Sequence, residues 1–315
     1  MLIPFVSRYD ADQDARWIAR FREFLLGHRI ERHADLLDAT TAAERAAVRV
    51  AIIAGPDPEQ LRAYPGLEWV ASTWAGVDGV AEVVPAHVGI SRLVDPELSA
   101  KMAEAVLAAV LALHRQLPAY ARQQAARTWR KLSYVKPADR TVALLGLGEL
   151  GRASLEALRP RGFRLAGWSR TPKQIPGVET HHGGAGLRAV LAEADVMVCL
   201  LPLTDATRGL LDAERLALLP RGASVVNYAR GPILDDGALL AALDAGQLEH
   251  AVLDVFATEP LPADHPYWSH PRVTVLPHVS ALTDSRSAAE LVARDLARYF
   301  ATGATPAFVD RARGY

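Results

Sequence analysis

Residues 141 to 158 read "TVALLGLGELGRASLEAL". An apolar run, the pattern G-x-G-x-x-G and a stretch with helical periodicity follow one another, which predicts a strand, a tight turn and a helix. In such a turn Gly146 permits the sharp bend, Gly148 lets the backbone approach a pyrophosphate, and Gly151 lets the helix lie close to the strand. The first N–H groups of the helix then face the phosphates. A glycine-rich corner without a ligand and an adenosyl-methionine fold share this turn, so the turn alone does not identify the ligand.

The end of the next predicted strand, "FRLAGWSR", bears on the choice of ligand. It reaches Arg170, which is 170 − 151 = 19 residues past Gly151. Folds that bind NAD usually place an Asp or Glu there, on the adenosine ribose 2′-OH, but residues 168–173 read "WSRTPK". A guanidinium binds phosphate well, and an acidic residue would repel it. We therefore predict NADP(H) rather than NAD(H), with Ser169, Arg170 and Lys173 at the 2′-phosphate. The alternative is that these cations are ordinary surface groups.

Short β-like runs alternate with helical patterns along most of the chain, which predicts an α/β protein with parallel sheets. Gly246 and Gly303 are candidate helix ends, and Thr283 and Asp284 are candidate N-caps of the last helix. The predicted strands are MLIPFV, RVAIIAG, LEWVAST, TVALLGLG, RLAGWSR, VMVCLLP, ASVVNYA, HAVLDVF and VTVLPHV. The predicted helices are residues 10–27, 98–116, 150–160, 186–193, 212–218, 236–245 and 284–300.

Composition argues against several classes of partner. The chain has 315 residues, a formal net charge of −1 and a single cysteine, Cys199. Without a global positive field, nucleic acid and anionic membrane are not expected as partners, and no intrachain disulfide can form. The most apolar helical stretch is too short and too charged to span a bilayer, and the N-terminus lacks the pattern of a signal peptide. We expect a cytoplasmic protein without a metal site, in which His181 and His182 are solvated in a glycine-rich loop.

Three polar residues stand at the ends of three late apolar strands. They are Arg230 in "VVNYARGP", Glu259 in "VLDVFATEPLP" and His278 in "VTVLPHVS". In open α/β sheets, ligands bind outside the carboxyl ends of the strands. We therefore expect these three side chains to reach one crevice.

With these blocks the chain resembles the D-isomer-specific 2-hydroxyacid dehydrogenase family, and within it the bacterial A type of glyoxylate/hydroxypyruvate reductases. The resemblance covers most of the chain from about residue 70 onward. The order and spacing of the Arg, Glu and His blocks make it specific. The matching stretches are STWAGVDGV, RLVDPELSAKMAEAV, LLGLGELG, WSRTPK, LLPLTDATRGL, VVNYARGPILDDGALLAALDAGQL, AVLDVFATEPLP, HPRVTVLPHVSALT and VDRARGY.

The resemblance implies a reduction of a small 2-oxo acid, glyoxylate or hydroxypyruvate, by hydride transfer from NADPH. His278 would give a proton to the carbonyl oxygen, since an imidazole exchanges protons near neutral pH. Glu259 would orient the ring, and Arg230 would hold the substrate carboxylate and polarise the ketone. The other substrate contacts would be the backbone N–H groups of the "WAGVD" turn and the wall beside them, at Trp74, Ala75, Gly76 and Val77.

The resemblance also implies further cofactor contacts and a domain plan. Asp254 would bind the nicotinamide amide. The complete set of expected cofactor residues is Gly146, Leu147, Gly148, Glu149, Leu150, Gly151, Trp168, Ser169, Arg170, Lys173, Leu201, Pro202, Thr207, Ala229, Asp254 and Ser280. Two Rossmann-like doubly wound parallel-sheet domains are implied, with the active site in the cleft between them. The substrate domain is discontinuous, 1–92 and 284–315, and the dinucleotide-binding domain is 93–283. A homodimer through the cofactor domain is implied, with 114–140 as the contact.

One departure from the family pattern concerns the substrate. Close relatives carry an aromatic residue just before the proline that follows the second strand, whereas this chain reads "IIAGPDP", with Ala54 and Gly55. That loop faces the substrate in the family, so the pocket is expected to be larger or differently shaped. The departure motivates one alternative, a reductase of a bulkier, phenylpyruvate-like 2-oxo acid. A second alternative is a non-catalytic regulator that senses NADP(H), a role that this fold also hosts.

Overall fold

The strand, turn and helix predicted around Gly146 are present in the structure, a computed structural model that describes residues 1–55, 57–311 and 313–314. Pro56 in "IIAGPDP", and Ala312 and Tyr315 in "VDRARGY", lie outside the described residues. The strands are β1 (Leu2–Ser7), β2 (Arg29–Arg32), β3 (Val50–Ala54), β4 (Trp69–Ser72), β5 (Gly89–Ser91), β6 (Thr141–Leu145), β7 (Arg164–Ser169), β8 (Glu179–His182), β9 (Val196–Cys199), β10 (Ala223–Asn227), β11 (Leu248–Leu253) and β12 (Val273–Val275). The helices are α1 (Ala11–Phe24), α2 (His33–Ala39), α3 (Ala42–Ala46), α4 (Val80–Val83), α5 (Pro96–His114), α6 (Leu117–Ala125), α7 (Glu149–Leu158), α8 (Gly183–Glu193), α9 (Ala213–Ala217), α10 (Asp236–Asp244) and α11 (Ser285–Thr302).

The chain divides into two compact units. Unit 1 comprises Met1–Leu98 and Thr283–Tyr315, and unit 2 comprises Ser99–Leu282. The sequence places the first boundary at 92/93, whereas the observed division falls after Leu98, inside the first turn of α5. The N-terminal and C-terminal parts of the chain therefore share one unit, because α11 packs its small apolar face, including Ala289 and Ala293, onto the core of that unit.

Unit 1 is a five-stranded parallel sheet in the order β2-β1-β3-β4-β5. Its central strands are buried on both faces. Ile52 of β3 packs in the core beneath α1 and α11, while the next residue, Ile53, packs in the opposite core with Leu61 and Val80. This burial on both faces explains why the strands read as continuous apolar runs rather than as alternating ones.

Unit 2 is a seven-stranded parallel sheet in the order β12-β11-β10-β9-β6-β7-β8. Alternate residues of β6 face two different cores: Ala143 and Leu145 pack with α8, α9 and α10, and Val142 and Leu144 pack with α5 and α7. Because every strand is parallel, all carboxyl ends lie at one edge of the sheet. The glycine turn after β6, the loop after β7 and the segments after β9 to β12 therefore share that edge. Among the described residues, no helix combines the length and the apolar character needed to cross a membrane.

The α/β prediction and the main elements are confirmed. Asp284 caps α11, and Gly246 and Gly303 follow helix ends with positive φ angles of 64° and 73°. The edge strands β2, β5 and β8 are not predicted, since each is short and carries little apolar pattern. The expected glycine-rich loop at His181 and His182 is wrong. Both residues belong to β8, and α8 starts at Gly183, because its apolar residues Leu187, Val190 and Leu191 pack into the core despite the low helix propensity of glycine.

Candidate active site

The glycine turn of unit 2 needs glycine at two positions for steric reasons. Gly146 has φ +108°, and a Cβ there would lie 2.7 Å from the carbonyl oxygen of Leu200. A Cβ on Gly151 would lie 1.9 Å from the carbonyl oxygen of Gly146. Both contacts are with backbone, which cannot move aside. These glycines therefore let α7 begin directly against the end of β6.

Gly148 is different, because it is the N-cap of α7 and its surroundings are open. Apart from its chain neighbours, no described residue has an atom within 4 Å of the position where its Cβ would stand. No side chain caps the helix at this residue. Leu147 is buried beneath the turn, and Glu149 and Leu150 form the first helical turn. The start of α7 thus presents uncapped N–H groups and the positive end of the helix dipole to an approaching anion.

The loop after β7 brings cationic residues to this turn. Lys173 Nζ donates to the carbonyl oxygen of Leu147 at 2.9 Å, which fixes its ammonium group against the glycine turn. Ser169 Oγ donates to the carbonyl oxygen of Thr171 at 2.8 Å, so this hydroxyl shapes the loop. Arg170 follows Ser169 and is exposed. The structure therefore brings Lys173 to the glycine turn and leaves Arg170 at the surface of the same loop.

Several expected cofactor residues are occupied inside the protein. The indole of Trp168 is buried and its Nε1 donates to the carbonyl oxygen of Gly183 at 2.8 Å. Leu201 packs in the core, and Thr207 Oγ1 donates to the carbonyl oxygen of Pro202 at 2.7 Å. Ala229 is buried next to Arg230. These side chains shape the walls around the carboxyl edge rather than project from it.

Glu259 and His278 form a hydrogen-bonded pair. Nδ1 of His278 donates to Glu259 Oε2 at 2.7 Å, and the second carboxylate oxygen accepts from the backbone N–H of Phe256 at 2.9 Å. Because the carboxylate accepts from Nδ1, this nitrogen carries the proton. The other ring nitrogen, Nε2, has no hydrogen-bond partner among the described residues, and the side chain is 52% exposed. The pair therefore presents one oriented and available ring nitrogen.

The carboxylate of this pair is held in its charged form. Burial alone would raise the pKa of Glu259, but the hydrogen bonds from His278 and from Phe256 N–H lower it, with further lowering by the charges of His278 and Arg230. The net effect is a lowered pKa. Arg230 is therefore one of the charges that act on this carboxylate. Its Nη1 donates to the carbonyl oxygen of Ala229 at 2.7 Å.

Two buried residues position these groups. Asp254 accepts from the backbone N–H groups of Val279 and Ser280 at 2.7 and 2.9 Å, and its own carbonyl oxygen accepts from His278 N–H at 3.0 Å. His278 is thereby held at φ +54°, in the left-handed region that non-glycine residues rarely adopt. Asn227, which sequence reasoning missed, accepts from the N–H of Ala229 and donates to the carbonyl oxygen of Arg230, at 3.1 Å each. The signal available in the sequence was an asparagine at the end of an apolar strand.

The turn after β4 in unit 1 has a different kind of polar surface. Within the described part of the chain, no group accepts from the backbone N–H groups of Ala75, Gly76 and Val77. The turn is fastened before them, where Trp74 N–H donates to Ser72 Oγ at 3.0 Å, and after them, where Val80 N–H donates to Val77 O at 3.2 Å. The indole of Trp74 is 37% exposed and lies beside the hydroxyl of Tyr9. Three consecutive unpaired N–H groups can bind an anion such as a carboxylate.

The residues of unit 2 fit a nicotinamide dinucleotide. Gly148 leaves the helix start open, and Lys173 supplies positive charge there. Together with the Glu259–His278 pair at the same edge, this fold and site define an oxidoreductase that binds a dinucleotide.

Comparison with known proteins specifies the class. Residues 107–280 match the family described as "D-isomer specific 2-hydroxyacid dehydrogenase, NAD binding domain". The chain is 38% identical over 272 residues to a glyoxylate/hydroxypyruvate reductase A of Yersinia enterocolitica, a match that covers 84% of this chain and 87% of that protein. The chain therefore belongs to the D-isomer specific 2-hydroxyacid dehydrogenase family. It is accordingly an enzyme that interconverts 2-hydroxy and 2-oxo acids with a nicotinamide cofactor.

Solved structures agree with the predicted pair of Rossmann-like units. A D-isomer specific 2-hydroxyacid dehydrogenase from Xanthobacter autotrophicus Py2, in complex with NADPH and MES, is 37% identical with a TM-score of 0.89, covering 100% of this chain and 99% of that one. An NADPH-dependent glyoxylate/hydroxypyruvate reductase from Sinorhizobium meliloti, in complex with NADP and sulfate, is 33% identical with the same TM-score of 0.89 and the same coverage of 100% and 99%. The family, its glyoxylate/hydroxypyruvate reductase A type and the fold class predicted from sequence are confirmed.

Proposed function

We propose that this enzyme reduces a small 2-oxo acid with NADPH, taking glyoxylate to glycolate or hydroxypyruvate to D-glycerate. The observation that carries the proposal is the state of His278: Nδ1 is held by Glu259 at 2.7 Å while Nε2 has no partner among the described residues. An imidazole oriented in this way is suited to donate a proton to a carbonyl oxygen. The names of the curated relative and of the Sinorhizobium structure support the choice of substrate.

Each residue has a proposed role in the reaction. When bound, NADPH supplies a hydride to C2 of the substrate. His278 protonates the carbonyl oxygen from Nε2, and Glu259 keeps the ring oriented and stabilises its protonated form. Arg230 binds the substrate carboxylate and polarises the carbonyl group. In unit 1, the N–H groups of the turn Ala75–Gly76–Val77 are proposed to bind a carboxylate.

We propose NADP(H) as the preferred cofactor, bound by the expected residues of unit 2. The support is the loop after β7, which carries Arg170 and the fixed ammonium group of Lys173 and has no acidic residue between 168 and 173. A 2′-phosphate is attracted by such a loop, whereas an Asp or Glu would repel it. The NADPH and NADP bound in the two related structures are consistent with this preference. Asp254 has both oxygens engaged by backbone N–H groups, so its proposed contact with the nicotinamide amide would use remaining lone pairs.

Replacing the proposed proton donor tests the function. In His278→Ala we expect kcat for NADPH-dependent glyoxylate reduction to fall by roughly 100- to 10,000-fold, as for loss of a general acid. The Kd for NADPH, measured by fluorescence titration, should stay within about twofold. His182→Ala is the matched control, since His182 is an exposed histidine of the same unit. Turnover retained in His278→Ala would mean that another group donates the proton.

The structure bears on the alternative of a bulkier substrate. This alternative is motivated by the absence of an aromatic residue at Gly55. Ring atoms of Trp74, however, lie 2.0 to 2.5 Å from the position of a Cβ on Gly55. The indole therefore occupies space that a side chain at position 55 would fill. This arrangement argues against a larger pocket, because Trp74 supplies the wall that a side chain at position 55 would otherwise form. We accordingly keep the small 2-oxo acids as the proposed substrates.

We also propose that the enzyme forms a homodimer through residues 114–140 of unit 2. The support is an exposed set of large apolar side chains on this segment, with Trp129 97%, Tyr134 61% and Leu117 56% exposed. Large exposed apolar side chains of this kind are typical of sites of association. Light scattering on the purified enzyme should give twice the mass of the chain, and Trp129→Asp should shift it to the monomer. A monomeric wild-type enzyme at micromolar concentration would contradict the dimer.

A cytoplasmic location is the last part of the proposal. Cys199 is fully buried as a free thiol, and burial raises its pKa to about 12. A single unpaired thiol is compatible with a reducing compartment. Fractionation of the native host, with the enzyme followed by its activity, tests this location.

A further inference from the structure

A histidine and two glutamates of unit 2 converge away from the proposed active site. Glu179 and His181 lie two residues apart on β8, so their side chains lie on the same face of the strand. Glu193 is the last residue of α8, which starts directly after β8 and folds back along it. His181 Nε2 lies 3.5 Å from Glu179 Oε1 and 3.3 Å from Glu193 Oε1. One ligand atom of each residue lies within 4.8 Å of those of the other two.

Two of these atoms are buried and lie within ion-pair distance of each other, but neither makes a hydrogen bond to a described residue. Neither His181 Nε2 nor Glu193 Oε1 has a hydrogen-bond partner within the described part of the chain, although they lie close to each other. Leaving a buried polar atom unpaired costs on the order of 1–3 kcal/mol, and more for a charged group. A ligand that binds both atoms at once would remove this cost.

The distances match a metal ion better than they match hydrogen bonds. Zinc binds imidazole nitrogen at about 2.0–2.1 Å and carboxylate oxygen at about 2.0–2.2 Å, in tetrahedral geometry. Neighbouring ligand atoms of such a tetrahedron are about 3.3–3.5 Å apart. The separations of 3.5 and 3.3 Å around His181 Nε2 agree with these edges.

We propose that Glu179, His181 and Glu193 bind one divalent transition-metal ion of the zinc class, with water as the fourth ligand. Sequence spacing predicts no metal site because the ligands lie 2 and 12 residues apart on a strand and at the far end of a helix. The ion joins an edge strand to the end of the helix that follows it. Its role is structural, since none of its ligands belongs to the group of Arg230, Glu259 and His278.

The site also connects to the loop that carries Arg170. Thr180 lies between two of the ligands, and its Oγ1 donates to the carbonyl oxygen of Lys173 at 2.6 Å. Lys173 in turn donates to Leu147 in the glycine turn at 2.9 Å. Fixing β8 by a metal ion therefore restrains this loop from its far end.

Zinc titration of the metal-free enzyme tests the site. After dialysis against a chelator, Zn²⁺ is added in competition with a chromophoric chelator, and we expect one ion per chain with a micromolar or lower Kd. His181→Ala should weaken binding at least 100-fold and Glu193→Gln at least tenfold. The matched control is His182→Ala, in which the neighbouring exposed histidine is removed and zinc affinity should not change. Zinc should also raise the Tm of the wild-type and control enzymes, but not that of His181→Ala.

Other results of the same titration would overturn the proposal. The competing arrangement is a protonated imidazole that forms ion pairs with both carboxylates. In that case zinc binds only weakly, with a Kd above about 100 μM, or binds equally well to all three variants, and the proposal is overturned. If His181→Ala does not fold, Glu193→Gln still tests the site. Circular dichroism and kcat in metal-free buffer report whether each variant is folded.

Discussion

The first strand of each unit is followed by a helix, but the two turns treat the start of that helix in opposite ways. In unit 1, Asp10 caps α1: its carboxylate accepts from the N–H of Gln13 at 2.7 Å, and the Gln13 side chain accepts in return from the N–H of Asp10 at 3.4 Å. In unit 2, Gly148 occupies the same position before α7 and offers no side chain.

The difference shows how one topology serves either folding or binding. A capping box satisfies the free N–H groups at the start of a helix and leaves little for a ligand. A glycine N-cap leaves these groups and the helix dipole to an anion, at a small cost in stability. The βα turn of unit 2 is therefore the one suited to a dinucleotide, although both sheets are parallel and flanked by helices.

The largest expected effect comes from giving unit 2 the cap of unit 1. Gly148 has φ −81° and ψ −160°, which aspartate adopts readily, and its surroundings are open. In Gly148→Asp the new carboxylate occupies the helix start and repels the pyrophosphate, at about 4 kcal/mol for unit charges 4 Å apart near a protein surface. We expect the Kd for NADPH, measured by fluorescence titration, to rise about a thousandfold.

A second helix start in unit 2 provides the control for that substitution. Gly184 lies in the first turn of α8, is exposed and has open space around it. Gly184→Asp adds the same charge to the same unit and should leave the Kd for NADPH within about twofold. Equal losses in both variants would mean that charge or instability, rather than the helix start of α7, causes the effect.

The next effect concerns the loop that faces the same turn. In Arg170→Asp a guanidinium suited to phosphate is replaced by a carboxylate suited to a ribose hydroxyl. We expect the ratio of kcat/KM for NADPH over NADH to fall about 100-fold, since a charge-assisted hydrogen bond of about 1.5–3 kcal/mol is lost and a repulsion is added. Steady-state kinetics with both cofactors measures it. An unchanged ratio would show that the loop does not read the 2′-phosphate.

Two histidines of unit 2 differ in a similar way, because the ring nitrogens of one are engaged by protein groups and the other has a nitrogen available to a ligand. His278 Nε2 has no partner in the described part of the chain. His250 of β11, in contrast, is buried, with Thr274 Oγ1 at 2.9 Å and Arg122 Nη1 at 3.5 Å from its two nitrogens. Burial lowers the pKa of His250 from 6.5 to about 4, and the charges of Arg122, Arg272 and His270 add to this. Because the pKa is lower in the folded state, the unfolded chain takes up a proton first as the pH falls.

That difference predicts how stability depends on pH. The contribution of His250 is complete above its ordinary pKa of 6.5 and is lost progressively as the pH falls towards about 4. Between pH 7 and pH 5, His250→Gln should therefore lose about 2 kcal/mol less of its free energy of unfolding than the wild-type enzyme. Urea denaturation at the two pH values measures both. Parallel pH dependences would contradict a neutral, buried His250.

The smallest effect is expected for the filled turn of unit 1. Asp10→Ala removes the capping box of α1 and should lower the free energy of unfolding by about 1 kcal/mol. The Kd for NADPH should not change, because this helix start does not bind the cofactor. Urea denaturation and NADPH titration of the same preparation give the two values. A weaker affinity for NADPH in this variant would contradict the contrast between the turns.

How far the sequence predicts the molecule depends on whether a feature is local. The strand, turn and helix around Gly146 follow from the chemistry of a few adjacent residues. The expectation that Arg230, Glu259 and His278 lie at one edge of the sheet follows from their positions at strand ends. The pairing of His278 with Glu259 is consistent with that placement. In contrast, β8 and the start of α8 at Gly183 depend on packing against β7, which overrides the low propensity of glycine. For the same reason, the convergence of His181 with Glu193 could not be read from spacing.

The central claim is tested most directly by a steady-state assay that crosses NADPH and NADH with glyoxylate, hydroxypyruvate and phenylpyruvate. The account predicts the highest kcat/KM for NADPH with glyoxylate or hydroxypyruvate, at least tenfold above NADH with the same acid. Phenylpyruvate should be reduced poorly, because Trp74 already occupies the space beside Gly55. A preference for phenylpyruvate or for NADH, or tight binding of NADPH without reduction of any of the three acids, would contradict the account.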